Sequence, residues 1–105
     1  MFKLVALWSH PKSEDVEAFE AAYHATHAPK ARALPSLTAL ETVRVNEGLE
    51  GTPPAWHRVA VMIWPDRAAF ERDAQTPEWR ALREDGGGMV QRFGVTLTAS
   101  MGEDG

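Results

Sequence analysis

The chain has 105 residues, of which 44% are hydrophobic and 25% charged, and this balance excludes an intrinsically disordered protein and suits one domain, 1–105, with a single modest core. It contains no cysteine, which excludes disulfides, thiolate metal sites and a cysteine nucleophile. Its net charge of -4 and the lack of a basic run disfavour nucleic acid and anionic membrane surfaces as partners.

The N-terminal half begins with strand-forming residues over 2–8, which are largely apolar on both alternating faces and predict a strand covered on both sides. Ser13 is predicted to be the N-cap of the first helix. Val16, Phe19, Tyr23 and Thr26 follow at spacings of three, four and three, which predicts one core-facing stripe along that helix. Pro29 is expected to end or kink the helix because it lacks a backbone N–H.

Two strands follow, predicted over 37–45 and 56–64 from side chains that alternate between two faces. A loop that contains glycine and proline connects them. A second helical segment is predicted to start with Asp66 as its N-cap and to restart at Thr76, which precedes a proline and an acid. The glycines at 86–88 are expected to stop it. A last strand is predicted over 92–101.

The predicted element order is β-α-β-β-α-β, which indicates a ferredoxin-like α+β fold with a four-stranded antiparallel sheet and both helices on one face. The other face would also be apolar, and monomers avoid a large exposed apolar patch. We therefore expect a homodimer in which two sheets close a dimeric α+β barrel with room for one small ligand. Met62 represents this face, and Met62→Glu is expected to prevent folding.

No apolar run approaches the roughly 20 residues of a membrane-spanning helix, and the N-terminal segment is typical of a strand and not of a signal peptide. These features predict a cytoplasmic protein. No P-loop, dinucleotide fingerprint or nucleophile elbow occurs, and no nucleotide or other cofactor is predicted.

Two histidines, His24 and His27, lie on one flank near the end of the first helix, and Glu20 precedes His24 by four residues. Three roles are open to them: filling a partly wet helix end, transferring a proton, or binding a metal together with Glu20. Three ligands on one helix are not a recognised zinc signature, so no metal is predicted. His27 lies nearer the core-facing stripe than His24.

Aromatic side chains offer a surface for a ligand. Tyr23, the only tyrosine, lies on the core stripe, and its hydroxyl needs a partner, which the mouth of the barrel would offer. Trp8 and Trp64 lie at strand ends, where they would line a pocket for a flat hydrophobic molecule or pack at the dimer interface.

The segment 23–29, Tyr-His-Ala-Thr-His-Ala-Pro, followed by Ala-Leu-Pro at 33–35 and a strand with Leu-Glu at 40–41, resembles the EthD family. The resemblance covers essentially the whole chain, although Lys30, Ser36 and the three glycines depart from the family's usual pattern. It implies the dimeric α+β barrel, and it carries over Tyr23, His24, His27 and Pro29. Members are similar to proteins encoded with systems that degrade ethers oxidatively.

Two functions follow from these residues. In the first, the protein binds a small hydrophobic molecule and acts as a cofactor-free enzyme of oxidative degradation, isomerisation or dehydration, with His27 and His24 as candidate catalytic residues and Tyr23, Trp8 and Trp64 binding the ligand. In the second, the same cavity serves a non-catalytic ligand-binding or accessory protein. A third hypothesis is haem binding through one histidine.

Overall fold

The computed structural model describes all residues 1–105 and has one antiparallel sheet in the order β2-β3-β1-β4. The strands are β1 Phe2–Trp8, β2 Ala39–Arg44, β3 Arg58–Trp64 and β4 Leu97–Glu103. The helices are α1 Val16–Ala22, α2 Ala28–Arg32, α3 Arg67–Asp73 and α4 Pro77–Phe93, and they pack on one face of the sheet. This arrangement confirms the predicted ferredoxin-like α+β fold. None of the helices has the length and hydrophobicity that crossing a membrane requires.

The strand register decides which side chains face the helices. Leu4 of β1 lies opposite Met62 of β3, and both are buried against the helices, at 8% and 5% exposed. The assignment of Met62 to the uncovered face was therefore wrong, because the parity of β3 turns its larger side chains inward. Val5 and its partner Val61 point the other way, where no helix covers the sheet.

The first helical run differs from an ideal α-helix. A 3₁₀ turn over Ser13–Asp15 precedes α1 and no side chain caps it, so the prediction of Ser13 as N-cap was wrong. A π-helical turn, Tyr23–His27, joins α1 to α2. Such a turn takes in an extra residue, and the core stripe moves past Thr26, which is exposed, to His27 and Ala28.

Pro29 does not end this run. It occupies the first turn of α2, directly after the π-helical turn, where a missing backbone N–H costs little.

The second helical segment begins as predicted. Asp66 accepts a hydrogen bond from the backbone N–H of Ala69 at 2.8 Å, and Thr76 accepts one from that of Trp79 at 3.2 Å. The glycines at 86–88 do not stop α4, which runs on until Gly94 ends it in the left-handed conformation, with φ of 63°.

Tertiary packing explains why α4 continues through the glycines. Each glycine costs a helix about 1 kcal/mol relative to alanine, but Met89 and Phe93 beyond them are both 5% exposed. The burial of these two side chains outweighs the local preference. As a result Phe93 belongs to the helix, and β4 begins at Leu97, later than the predicted residue 92.

Candidate functional site

A cavity of about 220 Å³ lies between the sheet and the helices, within one chain. Side chains from both halves of the hydrophobic core form its walls. Of 18 lining residues 14 are hydrophobic, and Arg83 is the one that carries a full charge at neutral pH. The position differs from the sequence-based expectation, which placed the ligand between the sheets of two chains. The reason is again strand parity, because Trp8 and Met62 face the helices.

His27 lines this cavity at the end of the π-helical turn. Its Nδ1 lies 2.8 Å from Oδ2 of Asp85 on α4, and the two side chains are 12% and 16% exposed. A carboxylate only accepts hydrogen bonds, so Nδ1 carries the proton and donates it, which leaves the Nε2 lone pair free. Nε2 has no hydrogen-bond partner in the chain. Every fully buried side-chain polar atom does have a partner, so Nε2 is not fully buried and is open to a ligand or solvent.

The protonation state of His27 follows from its surroundings. Burial lowers the pKa of its imidazole below the ordinary value of 6.5, and the hydrogen bond and charge of Asp85 oppose that shift only in part. His27 is therefore neutral at pH 7. Lys30 contacts the same carboxylate, with its Nζ 3.5 Å from the other oxygen of Asp85.

Gly86 brings α4 close to His27. A Cβ at this position would lie 3.5 Å from Cε1 of His27 and 3.4 Å from Cδ2 of Leu97, which is ordinary van der Waals contact. The glycine that was expected to stop the helix therefore lies on the cavity wall, packed beside the imidazole that Asp85 bonds.

Tyr23 and Trp8, two of the three residues predicted to bind a ligand, also line the cavity. The ring of Trp8 meets His27 edge-on, with centroids 5.1 Å apart, and Tyr23 lies 5.6 Å from the same imidazole. The Tyr23 hydroxyl has no hydrogen-bond partner in the chain, and burial raises the pKa of this phenol. It is therefore a neutral hydroxyl available to a ligand.

A second polar cluster lies behind Tyr23. Arg58 donates to both carboxylate oxygens of Glu20, at 2.8 Å and 2.6 Å, and His57 bonds Glu20 at 3.0 Å. The guanidinium of Arg58 also stacks on the Tyr23 ring, 4.3 Å from its centroid. Burial alone would raise the pKa of Glu20, but the hydrogen bonds and charges of Arg58 and His57 lower it from 4.5 to about 2. The cluster fixes the Tyr23 ring from behind.

The structure places His24 and Trp64 away from the cavity. The His24 side chain is 65% exposed, and its Nε2 accepts a hydrogen bond from Arg58 at 2.9 Å, so its lone pair is occupied. Trp64 packs against Phe2 and Phe70 and donates its indole N–H to Asp73 at 2.8 Å. Of the five predicted site residues, His27, Tyr23 and Trp8 come together on the cavity wall.

Asp85 and Arg83 were not among the predicted site residues, because both lie in the stretch expected to end a helix. Asp85 is 58 residues from His27 along the chain. The one available signal was the spacing of Leu82 and Gly86, which are four residues apart and lie on the core-facing side of α4. Asp85 directly precedes Gly86 and so lies beside this side of the helix. No group of three or more histidine, aspartate or glutamate side chains is arranged to hold a metal ion.

Comparison with known proteins identifies the family of this chain and solved structures that share its fold. The family described as REDY-like protein HapK matches residues 3–101. No curated protein matches the chain. An EthD (ethyl tert-butyl ether D) family protein from Bacillus halodurans c-125 is similar over 100% of this chain and 99% of its own, with 27% identity and a TM-score of 0.86. This similarity bears out the resemblance that the sequence carries.

Two further solved structures share the fold. HapK from Hahella chejuensis is 24% identical, with a TM-score of 0.63 over 99% of this chain and 92% of its own. SnoaB from Streptomyces nogalater, a cofactor-independent oxygenase, is 15% identical, with a TM-score of 0.66 over 99% of this chain and 92% of its own.

Proposed function

Since the chain belongs to the REDY-like HapK family, we propose that it binds a small, largely hydrophobic molecule in the cavity between sheet and helices and acts on it as a cofactor-independent enzyme. His27 is the general base, Asp85 orients it, and Tyr23 donates a hydrogen bond to an oxygen of the substrate. SnoaB, which has the same fold, is a cofactor-independent oxygenase, and this chemistry is compatible with the proposal.

The observation that carries the proposal is the 2.8 Å hydrogen bond between His27 and Asp85 on the wall of an apolar cavity. An imidazole whose Nδ1 proton is held by a carboxylate presents the unprotonated Nε2 as a base, as in other histidine–carboxylate pairs. The apolar walls keep bulk water away from the base, and the Asp85 carboxylate stabilises the imidazolium that forms when Nε2 takes a proton.

The substrate that suits this base has a proton made acidic by a neighbouring carbonyl. Removal of that proton at Nε2 produces an enolate, whose negative charge the Tyr23 hydroxyl would stabilise by donating a hydrogen bond. Because His27 is neutral at pH 7, no prior deprotonation is needed.

The alternative function, binding a ligand without catalysis, is supported by the composition of the same cavity walls. With 14 hydrophobic residues among 18, the cavity would hold a ligand without changing it, as an accessory protein requires. The two functions differ in turnover, since both require an open cavity but proton transfer alone requires the free Nε2 of His27.

Obstructing the exposed part of the cavity lining at Gly87 tests the proposed site. Gly87 lines the cavity and is itself exposed, and a Cβ there meets no atom within 4 Å, so Gly87→Leu has room for a side chain that obstructs the cavity at this position. We expect the variant to lose binding of 2-naphthamide in calorimetry and to stop catalysing exchange of the α-protons of 2-tetralone in heavy water, followed by proton NMR.

Gly88→Leu is the matched control, because Gly88 is exposed and has equal space around it but does not line the cavity. Both substitutions should raise the melting temperature, since replacing glycine within a helix gains up to about 1 kcal/mol. Equal binding and exchange by the two variants would remove the cavity from the function. Wild-type binding without exchange would favour the accessory protein.

We also propose a cytoplasmic homodimer formed through the uncovered sheet face. Val5 and Val61 lie opposite each other at its centre, and Val43 is 53% exposed. Pairing two such faces would remove this apolar surface from water in both copies. The absence of cysteine fits a reducing compartment.

Val61→Glu should convert the dimer to a folded monomer. Its side chain points away from the core, so the monomer fold tolerates it, whereas burying an unpaired carboxylate between two sheets costs several kcal/mol and weakens the dimer by on the order of 10²-fold or more. Light scattering across a concentration series measures this. Gln91→Glu, exposed on α4, adds the same charge as a control. A monomeric wild type at micromolar concentration would contradict the dimer.

A further inference from the structure

Arg83 is a cation at the place where the cavity opens. It lines the cavity and is itself exposed, and it is the only lining residue with a full charge at neutral pH. No salt bridge or cation–π contact of the chain involves it, although acidic residues outnumber basic ones by 15 to 11. An arginine left unpaired in an acidic protein, at the mouth of an apolar cavity, offers its guanidinium to a ligand.

The sequence of α4 keeps Arg83 unpaired. Residues three and four positions away on a helix are its neighbours, and here these are Trp79, Arg80, Gly86 and Gly87, none of which is an acid. The nearby Asp85 is bound to His27 and Lys30. No atom of the chain lies within 4 Å of where a Cβ of Gly87 would be, so the space at this neighbouring position is free of side chains.

We infer that the ligand is a carboxylate: its apolar body fills the cavity and its anionic end is bound by Arg83 at the mouth. A guanidinium presents two parallel N–H groups that match the two oxygens of a carboxylate. This inference rests on the proposed function, because it names the ligand class of the same cavity. It also orients the ligand, since a molecule held at its carboxylate end extends its body inward toward the wall formed by Trp8, Tyr23 and His27.

The test compares two ligands of one shape in one calorimetric series. 2-Naphthoate carries the carboxylate, and 2-naphthamide replaces it with a neutral group of the same size. The wild type should bind the naphthoate at least about 10-fold more tightly, as expected for charge-assisted hydrogen bonds at a partly exposed site, and the preference should shrink as salt is added.

Arg83→Gln should remove this preference, and it should weaken the binding of 2-naphthoate much more than that of 2-naphthamide. Arg80→Gln is the matched control, because Arg80 is exposed on the same helix but does not line the cavity, and it should keep the preference. Both positions are exposed, so both variants should melt as the wild type does.

The outcomes separate the two proposals. Equal wild-type affinity for the two compounds, or a preference that persists in Arg83→Gln, overturns the carboxylate inference and leaves the cavity as a binding site for neutral molecules. Failure of the wild type to bind either compound at millimolar concentration overturns both the inference and the proposed function.

Discussion

Replacing His27 by glutamine should lower the rate of 2-tetralone proton exchange by about 10²–10⁴-fold, the usual contribution of a positioned proton-transfer group. Glutamine keeps a polar group that can bond Asp85 but has no basic atom at neutral pH. Binding of 2-naphthamide should change little, because the apolar walls remain. The exchange rate is measured by proton NMR in heavy water and compared with the unfolded protein and with buffer.

His24→Gln is the matched control for this substitution. Both residues belong to the π-helical turn, but His24 is 65% exposed and its Nε2 is bonded to Arg58. We expect its exchange rate to stay within about twofold of the wild type, consistent with a surface position. A His24→Gln variant as inactive as His27→Gln, or a His27→Gln variant with full activity, would contradict the assignment of His27 as the base.

The pH profile distinguishes a positioning role of Asp85 from a structural one. The base works in its neutral form, and because burial lowers the pKa of His27, the wild-type rate should be level at pH 7 and fall only below pH 6.5. Asp85→Asn removes a carboxylate that raises this pKa. Its profile should shift to lower pH while its plateau rate falls, an effect that a loss of stability alone would not produce.

Local sequence signals predicted much of the fold. β1 lies where the strand-forming residues indicated, and Asp66 and Thr76 cap their helices. Each of these features depends on residues within four positions of one another, so a short window of sequence contains the physical cause.

Features that depend on distant contacts were not predictable in this way. Considered alone, Gly86 predicts the end of a helix, but the burial of Met89 and Phe93 extends α4 past it. The side of the sheet that Met62 faces depends on the packing of β3 against the helices, which alternation alone leaves open because both faces are apolar.

The candidate site also combines residues that local sequence predicts with residues that only the tertiary structure brings together. His27 was favoured over His24 from helical spacing, and the structure places it on the cavity wall. Its partner Asp85 lies on another helix, 58 residues away, and no local pattern pairs an imidazole with a carboxylate at that distance along the chain. Arg58 is 4% exposed, and sequence analysis had no means of pairing it with Glu20.

Glu20→Gln should lower the free energy of unfolding by about 3–5 kcal/mol, the cost of removing one partner of a buried ion pair. Arg58 and His57 are 4% and 5% exposed, and both direct N–H groups at this carboxylate. Glutamine keeps the shape but leaves the guanidinium charge without compensation. The lower end of the range is expected, because the Glu20 side chain is 14% exposed. Urea unfolding at pH 7 measures the loss, and Glu17→Gln, exposed on the same helix, should change stability by less than about 0.5 kcal/mol.

The dependence of the free energy of unfolding on pH, measured at acid pH, gives a second and independent test of the Glu20 carboxylate. Its pKa is lowered from 4.5 to about 2 in the folded chain, so the unfolded chain binds this proton more readily than the folded one. The stabilisation from Glu20 is therefore complete above pH 4.5 and is lost progressively as the pH falls from 4.5 toward 2. Urea unfolding at intervals across that window should show a stability slope in the wild type that is reduced in Glu20→Gln. Glu17→Gln should keep the slope. Parallel slopes in the wild type and Glu20→Gln would show that the carboxylate is not held by Arg58 and His57, and would remove the support that this cluster gives to the Tyr23 ring.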